Sequence, residues 1–198
     1  DDEYPAKLDH LTVHPVPLVS FTFGLPTADD VARLRNAGSA VVLNATSPDE
    51  VTAAARLRPD AIVVQGVEAG GHRATHGQAG QPEETTTAAL LDAARELTDL
   101  PLVAAGGIAG RDDAAALLAR GAAAVQVGTL FLTAVEAGTK PAHREVLLDG
   151  THTETLVTRA FSGRAARALR NGFTDRMAAH EVTAVSYTHL KLPTSALV

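Results

Sequence analysis

The chain of 198 residues contains no cysteine. This absence removes disulfides, thiolate metal sites and a cysteine nucleophile together. No apolar run approaches the roughly 18 residues that a membrane span needs. The first residues, DDEYPAKLDH, lack the basic and apolar regions of a secretory leader. No basic block offsets the formal net charge of −6, which argues against nucleic acid or an anionic membrane as partner. The arginines between 159 and 176 alternate with alanine at helical spacing and read as a solvated helix face. No carboxylate cluster suggests a metal, and no Ser–His–Asp pattern suggests a triad. A cytoplasmic protein without nucleic-acid or membrane partners is the expectation.

What is present is a rhythm. Hydrophobic residues make up 45% and charged ones 20%, as in ordinary globular proteins. Short runs rich in Val, Ile and Leu recur at 16–24, 40–45, 61–66, 101–108 and 123–129. They do not alternate, which suits parallel strands covered on both faces. Helical segments lie between them. The segment 27–38 has Thr27 as N-cap, Asp30 three residues later and Gly38 as its stop. The segment 47–57 has Ser47 as cap and Pro48 at the first helical position. The segment 85–99 is longer. The segment 110–122 has acids in its first turn and Gly121 at its end. Strands follow one another at about 22 residues, except across 66–101. That spacing predicts repeated βα units with right-handed crossovers. The extra residues 72–84 carry no period and read as a loop over a site.

Five strands are too few for a closed (β/α)8 barrel. The first dozen residues look like the end of a helix, and helical sequence without a further strand follows 123–129. The fold expected is therefore α/β: either an open sheet or the last five units of a barrel, with a C-terminal helical segment. The tail SYTHLKLPTSALV, 186–198, shares neither composition nor pattern with the rest and reads as non-native or disordered sequence. The expected domain is 1–185.

Two motifs point to an anion. PLVAAGGIAGRDD, 101–113, carries a strand straight into Gly106-Gly107 and a capped helix. VQVGTLF, 126–131, repeats the device with Gly128 and Thr129. Glycines let backbone approach a ligand closely, and helix starts expose N–H groups. Two such turns one unit apart match the phosphate site after the last strands of many barrels. Gln65 and Gln126 lie at strand ends, where a buried amide needs partners; the residues alone make each of them structural. His72 follows Gly70-Gly71 at the same end of the sheet, and an imidazole there can act as base or cationic donor near neutral pH. His10, His14, His76 and His152 read as surface residues.

VVQGVEAGGHR, PLVAAGGIAG and AVQVGTLFL, in this order and spacing, closely resemble the nitronate monooxygenases. PLVSFTFGLP and TRAFSGRAARALRNGF are also similar to that family, over about residues 8–176. The resemblance implies a (β/α)8 barrel binding FMN without a covalent bond. It implies that Gln65, Gly70 and Gly71 contact the flavin. Gly106, Gly107, Gln126, Val127, Gly128 and Thr129 would hold its phosphate, and His72 would be the catalytic histidine. The implied reaction oxidises an alkyl nitronate with O2 to a carbonyl compound and nitrite. His72 would attract the nitronate as imidazolium or take the α-proton of a neutral nitroalkane. The family's first three βα units have no counterpart, so the chain is expected to be a C-terminal piece of a longer protein. Two alternatives stand beside this reading. One is an FMN-dependent enoyl-acyl-carrier-protein reductase using NAD(P)H. The other is a flavin-free phosphate-binding isomerase or lyase.

Overall fold

The computed structural model describes residues 3–78 and 82–180. The tail 186–198 lies outside the described residues. The first element is α1, Tyr4–Val13, the helix expected at the start. Strand β1, Leu18–Phe21, leads to α2, Ala28–Asn36, where Thr27 and Asp30 form a reciprocal capping box. Strand β2, Ala40–Ala45, leads to α3, Pro48–Arg56, capped by Ser47. Strand β3 is Ala61–Gln65. A two-residue strand β4, Gly71–His72, precedes α4, Thr87–Leu97. Strand β5, Leu102–Ala105, leads to α5, Arg111–Ala119. Strand β6, Ala124–Gln126, leads into a 3-10 turn at Thr129–Thr133.

Strands β1, β2, β3, β5 and β6 form one parallel sheet in that order. The five expected strands are thus present, each joined to the next by a helix. The register pairs Phe21 with Leu43, Ala45 with Val64, Gln65 with Ala105, and Ala105 with Gln126. Side chains alternate across a strand, and here alternation assigns the two faces. Val41, Leu43, Ala45, Ile62, Val64, Leu102 and Ala104 face the helices and join Leu34, Val51, Leu90 and Leu91 in the main core. Burying each such Val, Leu or Ile contributes on the order of 1.5–3 kcal/mol. The opposite face carries a small cluster of Val42, Val63 and Ala105. Asn44, Gln65 and Gln126 have the same parity on their strands, so this face turns polar towards the strand C-termini. The sheet edges are open: Leu18 on β1 is 54% exposed, and β6 is exposed on its inward positions.

The C-terminal part departs from expectation. Helix α6, Pro141–Asp149, is followed by β7, Thr155–Thr158, and β8, Ala166–Leu169, then by the short helix α7, Gly172–Met177. The segment after 129 is therefore not wholly helical. Strands β7 and β8 form an antiparallel ribbon, and β4 adds to it, with Gly71 opposite Arg167 and His72 opposite Ala166. The arginines of 159–176 do not share one solvated helix face. Arg164 is 4% exposed, and Arg167 lies on a strand.

No described helix is long and apolar enough to cross a membrane.

Candidate functional site

The site lies at the C-terminal ends of β3, β5 and β6. The chain after β3 runs Gly66–Gly70 and enters β4. Its course is fixed from two sides. The Thr87 hydroxyl, buried at the start of α4, lies 3.1 Å from Glu68 Oε2, Ala105 O and Gly106 O, and the Thr87 amide donates to Glu68 Oε2 at 2.9 Å. Glu68 therefore caps α4. Arg167 of β8 donates from Nε to the Val67 carbonyl at 2.6 Å and from Nη1 to Thr155 Oγ1 at 2.8 Å.

The glycines have individual reasons. Gly106 and Gly107 take φ of +108° and +71°, the region glycine enters without penalty. A β-carbon on Gly106 would also stand 2.9 Å from Ala69 N, and one on Gly66 would stand 2.1 Å from Thr87 N. These turns therefore close against each other as well as facing outward. Around Gly128 a β-carbon would meet nothing within 4 Å. The start of α5 is already occupied: Asp113 Oδ2 accepts from Ala109 N at 2.9 Å and Gly110 N at 3.0 Å. A ligand anion in this corner is left to the amides before that cap and to the start of the 3-10 turn at Thr129.

Gln65 spends its amide on the segment after β4. Its Nε2 donates to His72 O at 3.2 Å, and its Oε1 accepts from Ala74 N at 2.9 Å. The structural role read from the residues is present, and it holds His72 in place. His72 Nε2 lies 2.7 Å from Ser162 Oγ. The Phe23 ring meets the imidazole edge-on, with centroids 6.0 Å apart at 82°. The residue opens onto the cavity and is exposed overall, but the groups crowding its ring penalise a charge there. That desolvation, with the nearby Arg164 guanidinium, holds the imidazole below the ordinary histidine range.

All ten residues singled out in the sequence line one cavity of about 1060 Å3: Gln65, Gly70, Gly71, His72, Gly106, Gly107, Gln126, Val127, Gly128 and Thr129. Leu130, Leu132, Val146, Leu147, Phe161 and Leu169 supply its apolar wall, and Arg167, His143 and Glu68 its other ionisable side chains.

Several members escaped sequence reasoning. Arg73 is fully buried beneath the site; its guanidinium donates to the Gly66 carbonyl and reaches Gln65 Oε1 at 3.4 Å. Burial and Arg167 work against its charge, while Glu50 and Glu68 favour it. Arg164 and Arg167 belong to the arginines expected on a solvated helix face, and Ser162 stands in the family-like string TRAFSGRAARALRNGF with no role expected of it. His76 is not merely a surface residue: its Nε2 lies 2.7 Å from Asn44 O, and its amide donates to Glu50 Oε1 at 2.6 Å. Among the described residues no group of three His, Cys, Asp or Glu is placed to hold a metal.

Parallel βα units with a glycine-lined cavity at the strand C-termini define a barrel-type α/β protein built to hold a ligand there. The family model described as nitronate monooxygenase matches residues 2–197. A "probable nitronate monooxygenase" of Staphylococcus aureus (strain MSSA476) is 35% identical over 91% of this chain and 51% of its own length. The crystal structure of nitroalkane oxidase from Streptomyces ansochromogenes is similar at 43% identity and a TM-score of 0.90, over 93% of this chain and 54% of that one. FabK from Thermotoga maritima is similar at 29% identity and a TM-score of 0.76, over 90% and 54%. The chain belongs to the nitronate monooxygenase family, and its five units correspond to part of a (β/α) barrel. It spans about half the length of the curated relatives it matches.

Proposed function

We propose that the protein binds FMN in this cavity and oxidises alkyl nitronates with O2 to a carbonyl compound and nitrite. The observation that carries the reading is the convergence of three strand-end loops and His72 on one cavity. Its volume, about 1060 Å3, suits a cofactor with room for a small substrate, since ligand pockets run to about 1,000 Å3.

The residues present fit the group. The positive φ at Gly106 and Gly107 and the open space before Gly128 leave backbone where a phosphate needs it. The amides of the Gly107 turn and of the 128–130 turn would hold that phosphate. Gly70 and Gly71 would border the ring system without side chains in its way. Bound FMN would supply the electron chemistry.

His72 would act as neutral imidazole. Burial of part of the ring and the nearby Arg164 disfavour the charged form, which favours proton abstraction over the imidazolium role of the two expected of it. The fixed positive charge of Arg167, which lines the cavity, would attract an anionic substrate. A neutral imidazole is the form that can take the α-proton of a nitroalkane. The Ser162 hydroxyl can donate to Nε2 or accept from it, so it stays hydrogen-bonded to either tautomer.

The test is direct. The purified chain is mixed with FMN and its fluorescence quenching followed. Under anaerobic conditions a nitronate should bleach the bound flavin. His72→Ala should bind FMN as tightly and lose turnover from a neutral nitroalkane. Bleaching by NADH but not by a nitronate would favour the reductase alternative. A chain that takes up phosphate esters but no flavin would favour the isomerase or lyase.

A further inference from the structure

The loop after β1 carries an unusual residue. Phe23 takes φ of +72°, a conformation uncommon for a bulky side chain, which persists only where surrounding contacts hold it. Those contacts form a closed circuit through four segments, 21–23, 44, 75–76 and 164. Asn44 Nδ2 donates to Phe21 O at 2.8 Å and Thr22 Oγ1 at 3.0 Å, which fixes the start of the loop. The Arg164 guanidinium carbon lies 4.0 Å from the centre of the Phe23 ring, a cation–π stack. Arg164 Nη2 donates to Thr75 O at 2.9 Å. The next residue, His76, returns to Asn44 through its ring nitrogen. His72 adjoins this circuit, its ring near-perpendicular to that of Phe23 with centroids 6.0 Å apart.

We propose that Phe23 and Arg164 are a positioning pair: the stacked guanidinium locks the loop after β1 against His72, so that an aromatic ring covers one side of the imidazole while the other opens onto the cavity. Phe23 is 40% exposed and Arg164 is 4% exposed, so the ring serves as a cover and the buried cation as its anchor. Both components disfavour a proton on His72. The ring covers part of the imidazole, and Arg164 brings a like charge close. Among the described residues, charged groups close to the circuit include Arg73, which reaches Gln65, Arg159, which donates to the Gly163 carbonyl, Arg167, which donates to the Val67 carbonyl, and Glu50 and Glu68. Glu50 accepts from Thr46 and from the His76 amide of the circuit itself, and Glu68 accepts from Thr87. The catalytic consequence rests on the nitronate reading above; the placement of the imidazole does not.

The experiment follows the ring signals of His72 by NMR through a pH titration of the full chain, with His72→Gln identifying the resonance. Phe23→Leu and Arg164→Gln should each move the His72 midpoint to higher pH. Phe23→Trp, which keeps an aromatic face for the guanidinium, should stay near the wild-type value. Phe23→Leu decides the matter if Arg164→Gln folds poorly, because it alters a partly exposed ring. An unchanged His72 midpoint in Phe23→Leu overturns the proposal. With flavin loaded, the ascending limb of the pH–rate profile should move with the NMR midpoint. A shifted midpoint with an unmoved limb leaves the pair standing and removes His72 from the rate-limiting chemistry.

Discussion

Thr129 stands against the backbone of Gly70: a β-carbon at Gly70 would lie 2.3 Å from Thr129 Oγ1 and 3.6 Å or more from the other Thr129 atoms. Two loops that begin on different strands are thus in contact through the smallest residue and one hydroxyl. This contact sets how far the histidine-bearing loop stands from the turn after β6.

The hydroxyl makes a prediction possible. Gly70→Ala should destabilise the protein by about 1–3 kcal/mol, the usual cost of forcing atoms into a filled space. Added to Thr129→Ala, the same change should cost little, because its remaining neighbours lie at ordinary contact distance. A double-mutant cycle by urea unfolding measures the coupling. Additive effects would mean that the loops part easily and the contact is incidental.

Thr87 joins Glu68 to the ends of β5 and α4. Thr87→Val keeps the shape and removes the hydroxyl. Buried polar groups left without partners cost about 1–3 kcal/mol, so the variant should lose that much stability. Thr87→Ser should lose less. Flavin affinity should fall in Thr87→Val as well, because Gly106 loses its tether to the Glu68 loop.

Ser162→Ala removes the partner of His72 Nε2 and leaves the cavity's glycine turns untouched. A neutral hydrogen bond is worth about 0.5–1.5 kcal/mol. Turnover should therefore fall by roughly 2- to 12-fold, with FMN affinity unchanged. An equal loss in flavin binding would place Ser162 in the architecture rather than in the proton path.

His72 also links stability to pH. Its folded-state value lies below the ordinary value of 6.5, so the unfolded chain binds the proton more tightly. The associated stability is complete above pH 6.5 and is lost as pH falls below it. Asp30 and Asp60, held below 3.8 by hydrogen bonds that outweigh their burial, lose their contribution only at lower pH. Urea midpoints at pH 7.5 and 5.5 should therefore differ more in wild type than in His72→Phe.

Much of this was legible in the sequence, for identifiable reasons. The five parallel strands were visible because each opens on a short apolar run, polar residues such as Asn44, Gln65 and Gln126 coming only towards the strand ends. Thr27, Ser47 and Gly121 marked helix ends by local chemistry that needs no tertiary context. The cavity's glycines followed from the strand-to-helix turns. The ribbon at 155–169 was hidden because ARAL is a good helical string, and helix propensity is overridden here by pairing with β4. The β-branched residues of TLVT, 155–158, were the signal available for β7. Arg73 and Arg164 could not be placed, because burial of a cation depends on carbonyl and aromatic partners supplied by other segments.

The histidine loop has a consequence for how the molecule is made. Ser162 meets His72 across 90 positions of chain, and Arg167 reaches Val67 across 100. Domains fold as they leave the ribosome, N-terminal parts first. The sheet and its helices can therefore assemble while the His72 imidazole still lacks its hydroxyl, its cationic neighbour and the ribbon that fixes its backbone. His72 gains these neighbours only after the hairpin of β7 and β8 has emerged, so the sheet precedes the surroundings of its own histidine.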